Sequence, residues 1–263
     1  DGIRDAQESR GLGDVYKRQL LIILLATLST AFLSSIFGML GGLILMGALI
    51  TIMPVSQAMV LHGLIQLTSN GYRAWLNKTD IKWNIVSTLI IGNTISLVGL
   101  FSLAFVPDKI TVLLVLGLLP YIAWALPKNN SLDVSKKPIG ILAGMVVVGS
   151  NLLSGTGGPL LDIFFQRVNM TRHQVVATKA VAQSLGHISK IIFFGFLTTS
   201  KFNTWPSFWL IFFAVIASVI GTTLGKIILD KIDDRTFFVW TLSILLTIGA
   251  VFIAYALYLM IHT

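Results

Sequence analysis

Apolar residues arrive along this chain in long unbroken blocks. Leu20–Tyr72 holds no Asp, Glu, Lys or Arg, and neither do Trp83–Pro107, Ile110–Pro127, Ile139–Leu161, Phe202–Gly225 or Thr236–Thr263. About 20 apolar residues in a helix span the hydrocarbon core of a bilayer. The blocks resolve into eight hydrophobic segments, at about 20–50, 56–76, 83–106, 109–126, 138–165, 172–197, 205–229 and 235–260. The pattern predicts an all-α, polytopic transmembrane helical bundle, with the lipid bilayer as its surroundings.

Two segments break the pattern. The first, at 31 residues, would be about 46 Å long as one helix, too long for a ~30 Å core. It carries "GMLGG" at 38–42, and the fifth carries "GTGG" at 155–158 inside the run "SGTGGPLLD". Both are expected to be broken or re-entrant helices. Glycine-rich breaks leave free backbone N–H groups at the start of the next half-helix, and helix N-termini attract anions. Pro159 suits a first helical turn because it needs no N–H partner. Irregular backbone at membrane depth is tolerated where it lines a cavity. The alternative is that the glycines merely let helices pack closely.

The halves can be laid on one another. Gly41 and Gly42 match Gly157 and Gly158 at an offset of 116, and downstream the offset is 117. There Gln57 meets Gln174, His62 meets Lys179, Gln66 meets Gln183, Asn70 meets His187 and Arg73 meets Lys190. Interrupted helices at matching places in two repeats point to a transporter and to its binding site. The repeats are expected at 20–126 and 138–263, four segments each, separated by a polar linker at 127–137. Four crossings per half would make them parallel; a re-entrant glycine segment, giving an odd number, would make them inverted.

The two polar series step by 4, 4 and 3 residues, so each occupies an arc of about 80° on its helix. Ionisable groups in a membrane are expected to face a cavity or each other. The reading taken is cavity lining, with interhelical hydrogen bonding as the alternative, and snorkelling to the interface for Arg73. Candidate substrate-binding residues are therefore Gly41, Gly42, Gly157, Gly158, His62, Gln66, Lys179, Gln183 and His187. Lys179 is expected to point into a central cavity as a counter-charge, beside Gln183 and His187 and opposite the Gly157–Gly158 backbone. Asp162 is a proton-coupling candidate; it can also pair with Lys179 or His187, or sit at the interface. Arg172 and His173 open the sixth segment and are read as interface residues.

Composition narrows the class further. The chain is 55% hydrophobic and 11% charged, against roughly a quarter charged in soluble domains. The net charge of +8, spread over short loops, reads as loop anchoring, with no nucleic-acid partner. Seven Lys and Arg on one face against six on the other leave orientation open. There are no cysteines, hence no disulfides or thiolate sites. No two His stand at a ligand spacing, so no metal is expected, and no cofactor. The opening "DGIRDAQESRGLGDVYKRQ", 1–19, is of mixed charge and resembles translated adapter read-through. It is expected to be a non-native or disordered tail that packs against nothing. "PKNNSLDVSKKP" reads as a solvated linker.

The stretches "FGMLGGLILMGALI", "LLSGTGGPLLDIFF" and "QVVATKAVAQSLGHISKIIFFG" resemble the TauE/SafE family of sulfite and organosulfonate exporters, over about Leu20 to Met260. That resemblance implies a multi-pass transporter in a bacterial inner (plasma) membrane, moving small sulfur-containing anions such as sulfite or sulfonates. Two departures are "LILMG", where family members often carry a Pro soon after the glycines, and Lys179, where a small or hydroxyl residue is more usual. The expected function is secondary active transport of a small anion. A channel shares these cues. An intramembrane enzyme would need a Ser–His pair with an orienting group, and none is evident beside His187, so the chain is not read as an enzyme.

Overall fold

In a computed structural model, residues 2–37, 39–103, 105–126, 132–166, 168–197, 205–229 and 234–262 are described. Ten α-helices form among them: α1 (Gly2–Phe37), α2 (Leu40–Ile52), α3 (Val55–Leu76), α4 (Trp83–Leu103), α5 (Lys109–Ala125), α6 (Lys137–Ser154), α7 (Gly158–Phe165), α8 (Arg172–Leu197), α9 (Phe208–Leu229) and α10 (Asp234–His262). A 3₁₀ turn, Lys78–Asp80, joins α3 to α4. Stretches of α1, α4, α6, α9 and α10 are long and apolar enough to cross a membrane; α2 and α5 are apolar but shorter. The polar stripes dilute the apolar character of α3 and α8, which pair with each other inside the bundle.

The two glycine segments each form two helices. The first helix stops at Phe37 and α2 starts at Leu40; Gly38 lies outside the described residues. The second break is set by Gly155, whose φ of 83° is left-handed backbone that glycine adopts without a Cβ clash. Its N–H closes the last turn of α6 on Asn151 O at 2.8 Å. The hydroxyl of Ser150 donates to Thr156 O at 3.0 Å, and that of Ser154 lies 2.9 Å from Ser150 O and 3.0 Å from Thr156 O. Side chains thus satisfy the carbonyl that the break leaves behind, as a membrane interior requires. Pro159 occupies the first turn of α7.

Each short helix after a break is the centre of a core. Leu40, Leu43, Leu45, Met46, Leu49 and Ile50 bury α2 against α3 and α5. Leu160, Leu161, Ile163, Phe164 and Phe165 bury α7 against α5 and α6. Of the two, α2 is apolar along nearly its whole length, as suits a helix buried among others, whereas α7 leaves Asp162 partly exposed. Because lipid is as apolar as leucine, such cores are held by close packing more than by exclusion of water.

Helix directions follow from the pairings. Gly221 lies against Leu28 and Phe32, and Gly225 against Phe32 and Ser35, so α1 and α9 run parallel. Ser218 donates to Ile65 O at 3.3 Å and Thr222 meets Ser69 at 3.0 Å, so α3 and α9 are parallel too. Gly140 abuts Thr88, Gly144 abuts Leu89 and Asn93, and Ser96 donates to Met145 O at 2.6 Å; α4 and α6 are parallel. Ser189 donates to Asn93 at 2.7 Å and Phe193 meets Phe101 at 6.5 Å, which adds α8 to that direction. His62 meets Lys190 while Lys82, just beyond α3, meets Thr178, so α3 and α8 are antiparallel. Hence α1 and α6 point in opposite directions.

Two expectations need correcting. The backbone of 2–19 continues α1 as helix, and Gln19 donates to Ile52 O at 3.1 Å, so the supposed tail joins the bundle by Gln19. Asp1 and the side chains of 2–17 lie outside the described residues. The linker is not wholly solvated either: Val134 is 1% exposed and its N–H donates to Phe164 O at 3.2 Å, docking the linker on α7. Its residues 127–131 lie outside the described part.

Candidate functional site

The antiparallel crossing of α3 and α8 brings two polar stripes together beside the two breaks. A small cavity of about 20 Å³ opens there, room for about one water. Its wall draws on both halves of the chain: Ser34 and Met39 at the first break, Gln66 and Asn70 on α3, Asn151 on α6, Thr156, Gly157 and Gly158 at the second break, and Gln183 and His187 on α8. None of these side chains carries a fixed charge. The wall offers amides, hydroxyls, an imidazole and the N-terminus of α7, whose first N–H groups have no partner within the helix. An oxyanion needs more space than this.

Two wall atoms stand out. Asn151 Oδ1 and His187 Nδ1 are buried and have no hydrogen-bond partner. Leaving a buried polar group without a hydrogen bond costs about 1–3 kcal/mol, and both of these atoms belong to residues that line the cavity. A neutral imidazole can carry its proton on Nδ1, and turning the Asn151 amide over presents its NH₂ group, so both can donate to an anion.

Behind this wall lies a buried polar chain. His62 Nε2 lies 2.8 Å from Gly42 O, which fixes the proton on Nε2 and makes Nδ1 an acceptor. Lys190 Nζ donates to that Nδ1 at 2.6 Å and to Gly155 O at 2.8 Å. His62 and Lys190 are both 0% exposed. The His62 and His187 rings meet edge to face, 5.7 Å between centroids.

The residues singled out in the sequence therefore separate into groups. Gln66, Gly157, Gly158, Gln183 and His187 line the cavity together. His62 stands one layer behind, bonded to Gly42 O. Gly42 also sits directly beneath the Gln66 amide. Gly41 packs on Thr30 and Ser34 of α1, so its role is close helix approach. Lys179 is a correction: it does not line the cavity but pairs with Asp162, both about a quarter exposed. The cavity sits at the level of Gln183 and His187, and Lys179 lies one turn away, where α7 supplies a carboxylate. Arg73 is partly exposed, with its Nη2 buried and without a hydrogen-bond partner. His173 is exposed, and the side chain of Arg172 lies outside the described residues. Among the described residues no cluster of His, Asp and Glu could hold a metal ion.

Sequence reasoning placed Lys190 in a stripe but not at the site, and passed over Asn151. Lys190 carried a usable signal: a charge eleven residues beyond Lys179 on the same face, deep in an apolar helix. Asn151 carried less, being a lone amide ahead of a glycine break.

A family model described as sulfite exporter TauE/SafE matches residues 22–253 of the chain. No curated protein and no solved structure matches it.

Proposed function

Because the chain belongs to the sulfite exporter TauE/SafE family, a family of membrane transporters, we propose that it is a secondary active carrier for a small sulfur-containing oxyanion. The anion binds in the cavity between the two helix breaks. The observation that carries this reading is that two residues lining one cavity from different helices, Asn151 and His187, each hold a buried atom without a hydrogen-bond partner. A small anion stripped of water needs several donors at once, and the amides of Gln66, Gln183 and Asn151 with the N-terminus of α7 supply them.

The helix directions support an inverted repeat in which α1–α5 correspond to α6–α10. The pairing of α1 with α9 then corresponds to that of α6 with α4, and each of the pairs α3–α8 and α5–α10 lies across the pseudo-twofold axis. Gly117 and Gly249 lie against each other's carbonyl oxygens in the α5–α10 pair. Gly42 packs on Gln66 as Gly158 packs on Gln183. Inverted repeats allow alternating access by rocking one half against the other around a fixed site.

The test is efflux of sulfite from proteoliposomes. Wild type should show saturable efflux and counterflow. Asn151→Leu and Gln183→Leu should insert normally and lose at least tenfold of it. Unchanged saturable efflux in both variants would remove the cavity from the pathway.

A further inference from the structure

The wall of the cavity is neutral, yet a fully buried lysine stands directly behind it. Lys190 Nζ has two acceptors within reach, His62 Nδ1 and Gly155 O, and both are uncharged. A neutral amine has two N–H bonds and satisfies both acceptors. An ammonium has three, and its third would be left over. No carboxylate answers the lysine from the elements packed on α8. On α7 the acid is Asp162, which is taken by Lys179. The acid of the 3₁₀ turn, Asp80, lies beyond the far end of α3, close to where Lys82 meets Thr178. The α4 helix bears no charged residue, α6 bears only Lys137 at its first position, and α3 contributes His62 and Arg73.

An unpaired buried ammonium is costly, and so is an unpaired buried anion. Each offsets the other when both are present. His187, which lines the cavity, meets His62 edge-on at 5.7 Å, so a charge on Lys190 lies just two rings from the bound anion. Binding of one must then favour binding of the other by the same factor, because linkage is reciprocal.

We propose that Lys190, with His62, is a proton-binding site coupled to the anion cavity, so that the anion binds together with a proton taken up on Lys190 Nζ. This rests on the cavity being the anion site. The proton passes from water to the amine, converting it to an ammonium that keeps both its present bonds. The same chain reports the event to both breaks, since Lys190 holds Gly155 O and His62 holds Gly42 O. Proton arrival therefore acts on the two places where the helices are interrupted.

The experiment is calorimetric titration of the purified protein with thiosulfate, an anion that does not itself titrate near neutral pH. Buffers of different ionisation heat report protons taken up per anion bound. Wild type should take up about one proton per thiosulfate between pH 7 and 8. Lys190→Arg keeps a permanent charge; it should bind thiosulfate with proton uptake reduced to zero. Lys190→Met should bind at least tenfold more weakly, also without uptake. If it fails to fold, His62→Gln, which keeps an amide in reach of both partners, should bind with altered uptake. Wild-type binding without proton uptake, or full uptake persisting in Lys190→Arg, overturns the proposal and leaves the cavity as the anion site. Absence of binding in the wild type, to thiosulfate and to sulfite alike, overturns the cavity reading as well.

Discussion

Gly155 shows how much a single residue can decide here. Its backbone is left-handed, its N–H ends α6, its carbonyl holds Lys190, and an added Cβ would lie 2.5 Å from Met46 Sδ. Left-handed backbone costs an L-residue roughly 1–2 kcal/mol, and the crowded methionine adds to that. Gly155→Ala should lower the thermal unfolding midpoint in detergent, by a stability loss of about 1–3 kcal/mol, and should reduce transport through displacement of Lys190. Equal stability and activity in the variant would show that the break relaxes freely. The need for glycine at 155 was legible in "SGTGG". The lysine it serves was not, because Gly155 and Lys190 are 35 residues apart and only the fold joins them. For the same reason Lys179 read as the site cation: spacing alone cannot tell that Asp162 comes within reach of it.

At the scale of elements, the apolar blocks and the glycine interruptions foretell the helices, since membrane-spanning length and backbone satisfaction leave few alternatives. What they do not foretell is how the short helices are held. The start of α5 illustrates a local signal that does survive. Asp108 caps it, its carboxylate accepting from the Thr111 backbone N–H at 2.7 Å, and that bond holds the carboxyl below its usual range. A depressed folded-state value means the contribution is present above the unfolded pKa and is lost as pH falls through the folded one. Asp108 is largely exposed and solvent screens it, so Asp108→Ala should cost only ~0.5 kcal/mol at neutral pH. The difference from wild type should shrink as pH falls through the folded-state value of the carboxyl and vanish once the wild-type carboxylate is also protonated. A stability gap that persists in acid would mean that the cap acts by shape and not by charge.

Across the whole molecule, the direction of the second half was beyond the reach of residue matching. The offsets of 116 and 117 pair positions whether the halves are parallel or inverted. The side-by-side contacts make α1 run with α3 and α9, and α6 with α4 and α8, and it is these directions that support the inverted arrangement proposed above. If the halves rock about the pseudo-twofold axis, the α3–α8 pair must change its contact at one end while it pivots around His62 and Lys190. At one end of this pair Lys82 N–H donates to Thr178 Oγ1 at 3.0 Å. The chain contains no cysteine, so a pair introduced there can be read without background. The Thr178 side chain already reaches the Lys82 backbone, which puts the two positions near enough to try a disulfide. Lys82→Cys with Thr178→Cys should cross-link nearly completely under mild oxidation. Cross-linked protein should lose at least tenfold of its sulfite efflux and regain it on reduction, while each single variant stays active under oxidant. Full efflux from fully cross-linked protein would show that this end of α3 and α8 moves as one body. Alternation would then have to pass through the α2 and α7 half-helices alone, with the long helices standing still around them.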